Sequence, residues 1–124
     1  MFYYHHTIPM HRQAASDYCR KDGASLPVPK DSHQNQFFRD FFPDETIWLG
    51  IHSDYYFEAG VRYWYWVDDN NKLISWFNWN EGEPNVNPFD TYVEMQSNGK
   101  WNEKRIFDYA TYRTFLCVYV IPNE

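Results

Sequence analysis

Aromatic residues make up 22% of this chain and aliphatic residues are few, so its interior has to be built largely from rings. At 124 residues the chain is long enough to bury roughly two-thirds of the surface it exposes when unfolded, with nothing left for a second core. One domain spanning residues 1–124 is the expectation.

Apolar spacing sets the order of elements. In "HRQAASDYCRKDGASL", Ala14, Ala15, Tyr18 and Cys19 recur at helical spacing opposite Arg12, Asp17, Arg20 and Lys21, with Gly23 placed to cap the C-terminus. Pro27 and Pro29 forbid helix. A second helix restarts in "KDSHQNQFFRDFF", capped by Asp31 or Ser32, its stripe formed by Phe37, Phe38, Phe41 and Phe42 up to Pro43. "FYYHHTI", "TIWLGI", "RYWYWVD", "DTYVEM" and "TFLCVYVI" read as strands, and the Asn98-Gly99 turn makes a hairpin of "DTYVEM" with the Lys100-Trp101 run. Between Asp68 and Phe89 only "LISWFNW" has the composition to extend; the remainder is a long polar loop of the kind that usually carries function. The sum is an α+β domain, two helices early and strands in the middle and at the end, with its ends close together.

A net charge of -6 and the absence of any basic run longer than two residues argue against nucleic acid and anionic membranes as partners. No apolar stretch is long enough for a transmembrane segment, and "MFYYHHTIPM" lacks the pattern of a signal peptide. Either the protein is cytosolic or its targeting segment lies outside this chain. Two cysteines, Cys19 and Cys117, stand near opposite ends. They read equally as two buried thiols or as a disulfide, which would be worth about 4–5 kcal/mol by loop-closure entropy.

Catalytic patterns are missing: no phosphate-binding glycine loop, no HExxH, no GxSxG, and no histidine paired in sequence with Cys19. His5 and His6 are adjacent, so in a strand they point to opposite faces and do not chelate together. No enzyme is expected. Hard-cation chemistry is better supplied, because calcium takes six to eight oxygens in irregular geometry. Glu83, Asn85 and Asp90 lie on the long loop, and Asn102 and Glu103 follow Trp101. If the five converge, three carboxylates around one divalent ion leave a charge of -1 and room for further oxygens. Vicinal sugar hydroxyls suit that place, since each can give a lone pair to the ion, accept from an asparagine and donate to a carboxylate. The alternative at this point is a solvated acidic loop.

"AASDYC…GASL", "WLGI", "WYWVDD", "NWNEGEPN", "YVEM", "GKWNE" and "FLCV", in this order and spacing, resemble a C-type lectin-like domain from about Tyr4 to Val120. The resemblance implies a Cys19–Cys117 disulfide, an extracellular location (secreted, or the ectodomain of a larger protein), and one bound Ca2+. It implies a cis Glu83–Pro84 bond in the calcium loop, with Glu83, Asn85 and Asn102 at ligand positions and Asp90 where an acidic ligand is common. "EPN" implies glycans of the mannose, fucose or N-acetylglucosamine type, bound through equatorial 3- and 4-hydroxyls to the ion and to the same five residues. Glu103 departs from the aspartate of the family pattern, and its extra methylene implies weaker calcium binding. The family's second disulfide would join the positions of Tyr92 and about Ile106, and both cysteines are absent. An auxiliary calcium site would draw on Asp54 and Glu58, but Val86 and Thr91 replace further carboxylates, so one ion is expected and not two. A shallow polar site binds a single sugar weakly, so a homo-oligomer would serve avidity. The competing expectation is a calcium-independent module that binds a protein, lipid or surface through exposed aromatics of "SDYYFEAGVRYWYW".

Overall fold

The computed structural model describes residues 2–85, 90–107 and 110–119, without the side chains at positions 2 and 4–7; the side chains of His5 and His6 therefore lie outside the described set. In chain order the elements are β1 (Phe2–Met10), α1 (Arg12–Lys21), α2 (Ser32–Asp40), β2 (Ile47–Glu58), β3 (Val61–Asp68), β4 (Thr91–Met95), β5 (Trp101–Arg105) and β6 (Arg113–Tyr119). β1 and β6 pair antiparallel as a two-stranded sheet, which brings the first and last strands together. A second antiparallel sheet has the order β3-β2-β4-β5.

Local chemistry fixes the helices. Gly23, at φ 77°, ends α1, where its amide bonds to Arg20 O and that of Ala24 to Cys19 O in a Schellman cap. Asp31, not Ser32, caps α2, its carboxylate accepting from the Gln34 amide at 2.8 Å. Phe38 and Phe42 enter the core, whereas Phe37 stays 37% exposed. Phe37 and Phe41 instead meet Tyr3 edge-on, at 5.5 and 4.7 Å between ring centroids. The apolar stripe is therefore narrower than the sequence implies.

The interior also corrects the expectation of a core made largely of rings. Trp48, Trp101, Phe38, Phe42 and Phe115 are fully buried, but so are Leu26, Ile47, Leu49, Ile51, Met95, Leu116 and Val93. Most tyrosines sit outside. Their hydroxyls retain water there, while the aliphatic residues concentrate on the inward faces of β2, β4 and β6.

Two covalent or ionic ties hold α1 to the sheets. Cys19 and Cys117 form a disulfide, with Cα atoms 5.3 Å apart, between α1 and β6. Near the N-terminal end of the same buried face, Arg12 is only 3% exposed and bonds to Asp69 Oδ1 at 2.8 Å and to Leu49 O at 3.1 Å. Ser16 donates to Asp69 Oδ2 at 2.9 Å, and His52 Nδ1 lies 3.2 Å from Oδ1. Burial alone would raise the Asp69 pKa, but the bonds from His52, Arg12 and Ser16 together outweigh it and hold the carboxyl well below the usual carboxylate range.

β2 is longer than "TIWLGI" implied. It continues through "HSDYYFE" and returns as β3 through a two-residue turn, with Ala59 at φ 52° and Gly60 at φ 81°. An asparagine or aspartate would have announced that turn; an alanine in the left-handed region does not. "LISWFNW" forms no strand, only isolated bridges of Leu73 to Val67 and Trp79 to Trp101. Its rings pack on the core, and its backbone crosses the end of the sheet.

Two outcomes follow for stability. Ala59→Asn suits the left-handed conformation, and is expected to raise stability by about 0.5–1 kcal/mol in urea unfolding. Because the Asp69 pKa is lowered in the folded state, the unfolded chain binds more protons below the ordinary carboxylate value. Stability is therefore expected to hold from neutrality to about pH 4 and to fall as pH drops further. Asp69→Asn leaves Arg12 buried without its counter-charge. Denaturant melts should show a loss of roughly 3–5 kcal/mol at neutral pH and a flatter acid limb.

Candidate functional site

The long loop is anchored before it reaches its acidic residues. Trp101, at the start of β5, donates its amide to Asn78 O at 2.9 Å and accepts from the Asn80 amide at 2.8 Å. Its indole N–H donates to Asn35 Oδ1 at 2.8 Å, and Asn35 and Asn78 both donate to Gly99 O in the adjoining turn. The chain then turns at Gly82, whose φ of 82° suits glycine. The Glu83 amide bonds to Asn80 O at 3.0 Å, and the Glu83–Pro84 peptide is cis.

Glu83 now meets the outer edge of β5. Burial and the charges of Glu103 and Glu94 push its carboxyl pKa up, while hydrogen bonding from the Glu103 backbone amide pulls it down. Its Oε2 is buried and has no hydrogen-bond partner. Glu103 closes the loop from the strand side. One of its oxygens accepts from the Asn85 amide and the other from Thr91 Oγ1 at 2.7 Å. The Thr91 amide in turn donates to Ser53 Oγ at 2.8 Å, so the tether runs from the loop through β5 and β4 to β2. Thr91 enters the sequence reading only as a missing carboxylate. A hydroxyl at the first residue of a strand carries no signal of such a contact.

The remaining predicted residues are placed differently. β5 pairs with β4 so that Asn102 faces Glu94 and Glu103 faces Val93; Asn102 and Glu103 thus leave opposite faces of the strand, with Glu83 at the edge between them. Asp90 is not gathered with the others. Its carbonyl accepts from the Ile106 amide at 3.2 Å, and the residue lines a separate cavity of about 320 Å³ with Arg12, Gln13, His52, Asp69 and Tyr92. Glu94 is ion-paired with Arg113 at 2.9 Å. Among the described residues, no group of three or more His, Cys, Asp or Glu side chains is arranged to hold a metal ion by itself; Val86, of the auxiliary set, lies outside them. Asp54 and Glu58 belong to β2, not to a loop. Tyr92, where the family's extra cysteine would stand, carries the Arg12 guanidinium over its ring at 4.3 Å and donates its hydroxyl to Gln13 Oε1 at 2.7 Å.

The sequence profile described as "Lectin C-type domain" matches residues 8–119. The chain belongs to the C-type lectin domain family. This lectin domain is 31% identical to human Collectin-10 over 107 residues, which cover 82% of the chain but 36% of that relative. It is 27% identical to the C-type lectin domain family 3 member A homolog of Xenopus laevis over 120 residues, covering 90% of the chain and 56% of the relative. The chain thus spans about a third to just over half the length of these curated relatives. In fold it resembles the cow CD23 carbohydrate-recognition domain, solved in the presence of a GlcNAc2Man3 oligosaccharide, with TM-score 0.74, 20% identity, and coverage of 96% of this chain and 88% of that one. It resembles a calcium-independent type II antifreeze protein almost as well, with TM-score 0.72, 15% identity, and coverage of 93% and 82%. At these identities the likeness is one of fold alone. No helix among the described residues of the domain is long and apolar enough to cross a membrane.

The raised Glu83 pKa has a consequence in the absence of any cation. Between the ordinary glutamate value and the raised one, the folded state holds more protons than the unfolded state, so stability falls as pH rises through that window. In chelator, Glu83→Gln is expected to remove this fall and to raise Tm at neutral pH by about 1–2 °C, a small effect because the carboxyl group as a whole is only partly withdrawn from solvent. Thermal melts of both proteins across that window check it.

Proposed function

We propose that this lectin domain binds glycans of the mannose, fucose or N-acetylglucosamine type through a single calcium ion held by Glu83, Asn85, Asn102 and Glu103. The observation that carries this reading is the buried, unpartnered Oε2 of Glu83 with the Glu103 carboxylate next to it. A carboxylate in that position lacks a cation, and oxygen donors of this kind suit a hard one. Bound there, calcium supplies positive charge to the carboxylates and coordination places for two sugar hydroxyl oxygens. The protein's own part is to hold hydrogen-bonding partners beside those hydroxyls: the Asn85 side chain donates and the Glu83 carboxylate accepts. Asp90, which lines the cavity beside Arg12, is left out of this set. The domain is read as a binding module with no catalytic step. The buried Cys19–Cys117 disulfide supports an extracellular setting, and several copies of the domain would supply avidity.

A second reading, a calcium-independent module with a protein, lipid or surface ligand, is favoured by one observation. Both oxygens of Glu103 already accept from protein donors, so the loop is tethered without a cation. Calorimetric titration separates the two. The calcium reading expects uptake with Kd on the order of 10⁻⁴–10⁻³ M, as in extracellular calcium modules, and retention on a mannose column that chelator abolishes. No uptake at millimolar calcium, or retention that survives chelator, overturns it. Glu103→Asp removes the extra methylene and is expected to tighten calcium binding severalfold. The pair Glu83→Gln with Asn85→Asp is expected to shift column preference from mannose toward galactose, and an unchanged preference would mean that neither residue touches the sugar.

A further inference from the structure

Past His52, where β2 leaves β4, the β2–β3 hairpin continues as a two-stranded ribbon with aromatic rings on both faces. Register assigns Tyr55, Phe57, Arg62 and Trp64 to one face. There the Arg62 guanidinium lies over three rings, 4.6 Å from the centroid of Tyr55, 5.3 Å from that of Phe57 and 5.5 Å from that of Trp64. The opposite face carries Asp54, Tyr56, Glu58, Val61, Tyr63 and Tyr65. Tyr56 and Tyr63 stack at 5.4 Å with their planes 21° apart, and Tyr65 lies 6.1 Å from Tyr56. Tyr56 is 50% exposed and Tyr63 44%. Asp54 stands directly across from Tyr65 in the register, and its carboxylate accepts from the Tyr55 amide at 2.8 Å. Among the described residues, no cation lies over these three tyrosines.

We propose that the Asp54–Tyr56–Tyr63–Tyr65 face is a docking site for an arginine side chain presented by a basic protein segment. Two observations select this occupant. The ribbon's first face shows what its rings accept, because Arg62 supplies a guanidinium there from within the chain. The second face offers the same kind of ring surface with two carboxylates, Asp54 and Glu58, and no cation of its own, on a chain whose net charge is -6. Tyrosine faces attract guanidinium groups through the ring quadrupole, and flanking carboxylates steer and orient them. Anionic membranes are disfavoured by the same two carboxylates. This site is remote in the chain from Glu83 and Glu103, and its occupation is independent of calcium.

The test is a titration of the whole chain with an end-blocked tetra-arginine peptide, followed by aromatic ring NMR shifts, in calcium and again in chelator. Saturable shifts are expected at Tyr56, Tyr63 and Tyr65 in both conditions, with tetra-lysine binding severalfold more weakly. Tyr63→Ala should weaken binding about threefold to tenfold, Tyr63→Phe should retain it, and Glu58→Lys should abolish it. Glu58→Lys lies at the exposed end of the ribbon and keeps the measurement meaningful if Tyr63→Ala does not fold. Binding unchanged by Tyr63→Ala and by Glu58→Lys would reduce the effect to general attraction by an acidic chain and overturn the proposal. So would ring shifts produced by mannose or by phosphatidylcholine vesicles in place of the peptide.

Discussion

Trp101 is fully buried, and its backbone and indole together hold two separate segments. Its amide and carbonyl fix Asn78 and Asn80, its indole N–H fixes Asn35 on α2, and its ring meets Trp76 and Trp79 at 5.6 and 6.0 Å. A loop with the composition of Asn78–Asn85 has little apolar surface with which to choose a conformation. Its position is therefore inherited from the tryptophan that begins β5. Two residues further along the same strand stands Glu103, whose carboxylate takes the Asn85 amide. The distance between loop and strand is set once, at Trp101, and the candidate ligands on both sides inherit that setting.

The aromatic residues divide into two populations with different physics. Tryptophans and phenylalanines at Trp48, Trp101, Phe38, Phe42 and Phe115 bury large apolar area and locate the indole N–H groups precisely enough to act as hydrogen-bond anchors, as when Trp48 donates to Met10 O at 2.9 Å. The tyrosines of the β2–β3 ribbon gain little from burial and remain solvated at their hydroxyls. Arg12 belongs to the first population by location and to neither by chemistry. It is a buried cation made tolerable by Asp69, the Leu49 carbonyl and the Tyr92 ring, and it ties α1 to the turn after β3.

Much of the fold is legible from the residues themselves, and the places where it is not have physical causes. Helix ends were readable because Gly23 and Asp31 do one job each, at one position each. The length of β2 was not, because Ala59 occupies a turn position normally marked by asparagine or glycine, so that "HSDYYFE" reads as loop. "LISWFNW" has strand composition, yet its rings find partners on the core before its backbone finds a strand to pair with. The identity of the candidate site residues was also readable, since clustered Glu and Asn around a proline have few other uses. Their grouping was not. Glu83 and Asn85 meet Glu103 because the loop is bridged to the outer edge of β5 at Trp101, Asn102 is turned to the other face by the pleat, and Asp90 lines the cavity beside Arg12.

Glu103 shows how one methylene changes the balance between a metal site and a self-sufficient loop. An aspartate at this position would have its carboxylate closer to the strand and further from Thr91 and the Asn85 amide. Glutamate reaches both, so the loop gains two charge-assisted hydrogen bonds that do not depend on an ion. Those same bonds occupy lone pairs that calcium would use, and they bring a second negative charge to Glu83, whose own Oε2 remains without a partner. The substitution thus stabilises the ion-free loop through Glu103 while increasing the electrostatic demand for a cation at Glu83. The two effects oppose each other, and in the calcium reading proposed above the affinity for the ion would be the difference between them.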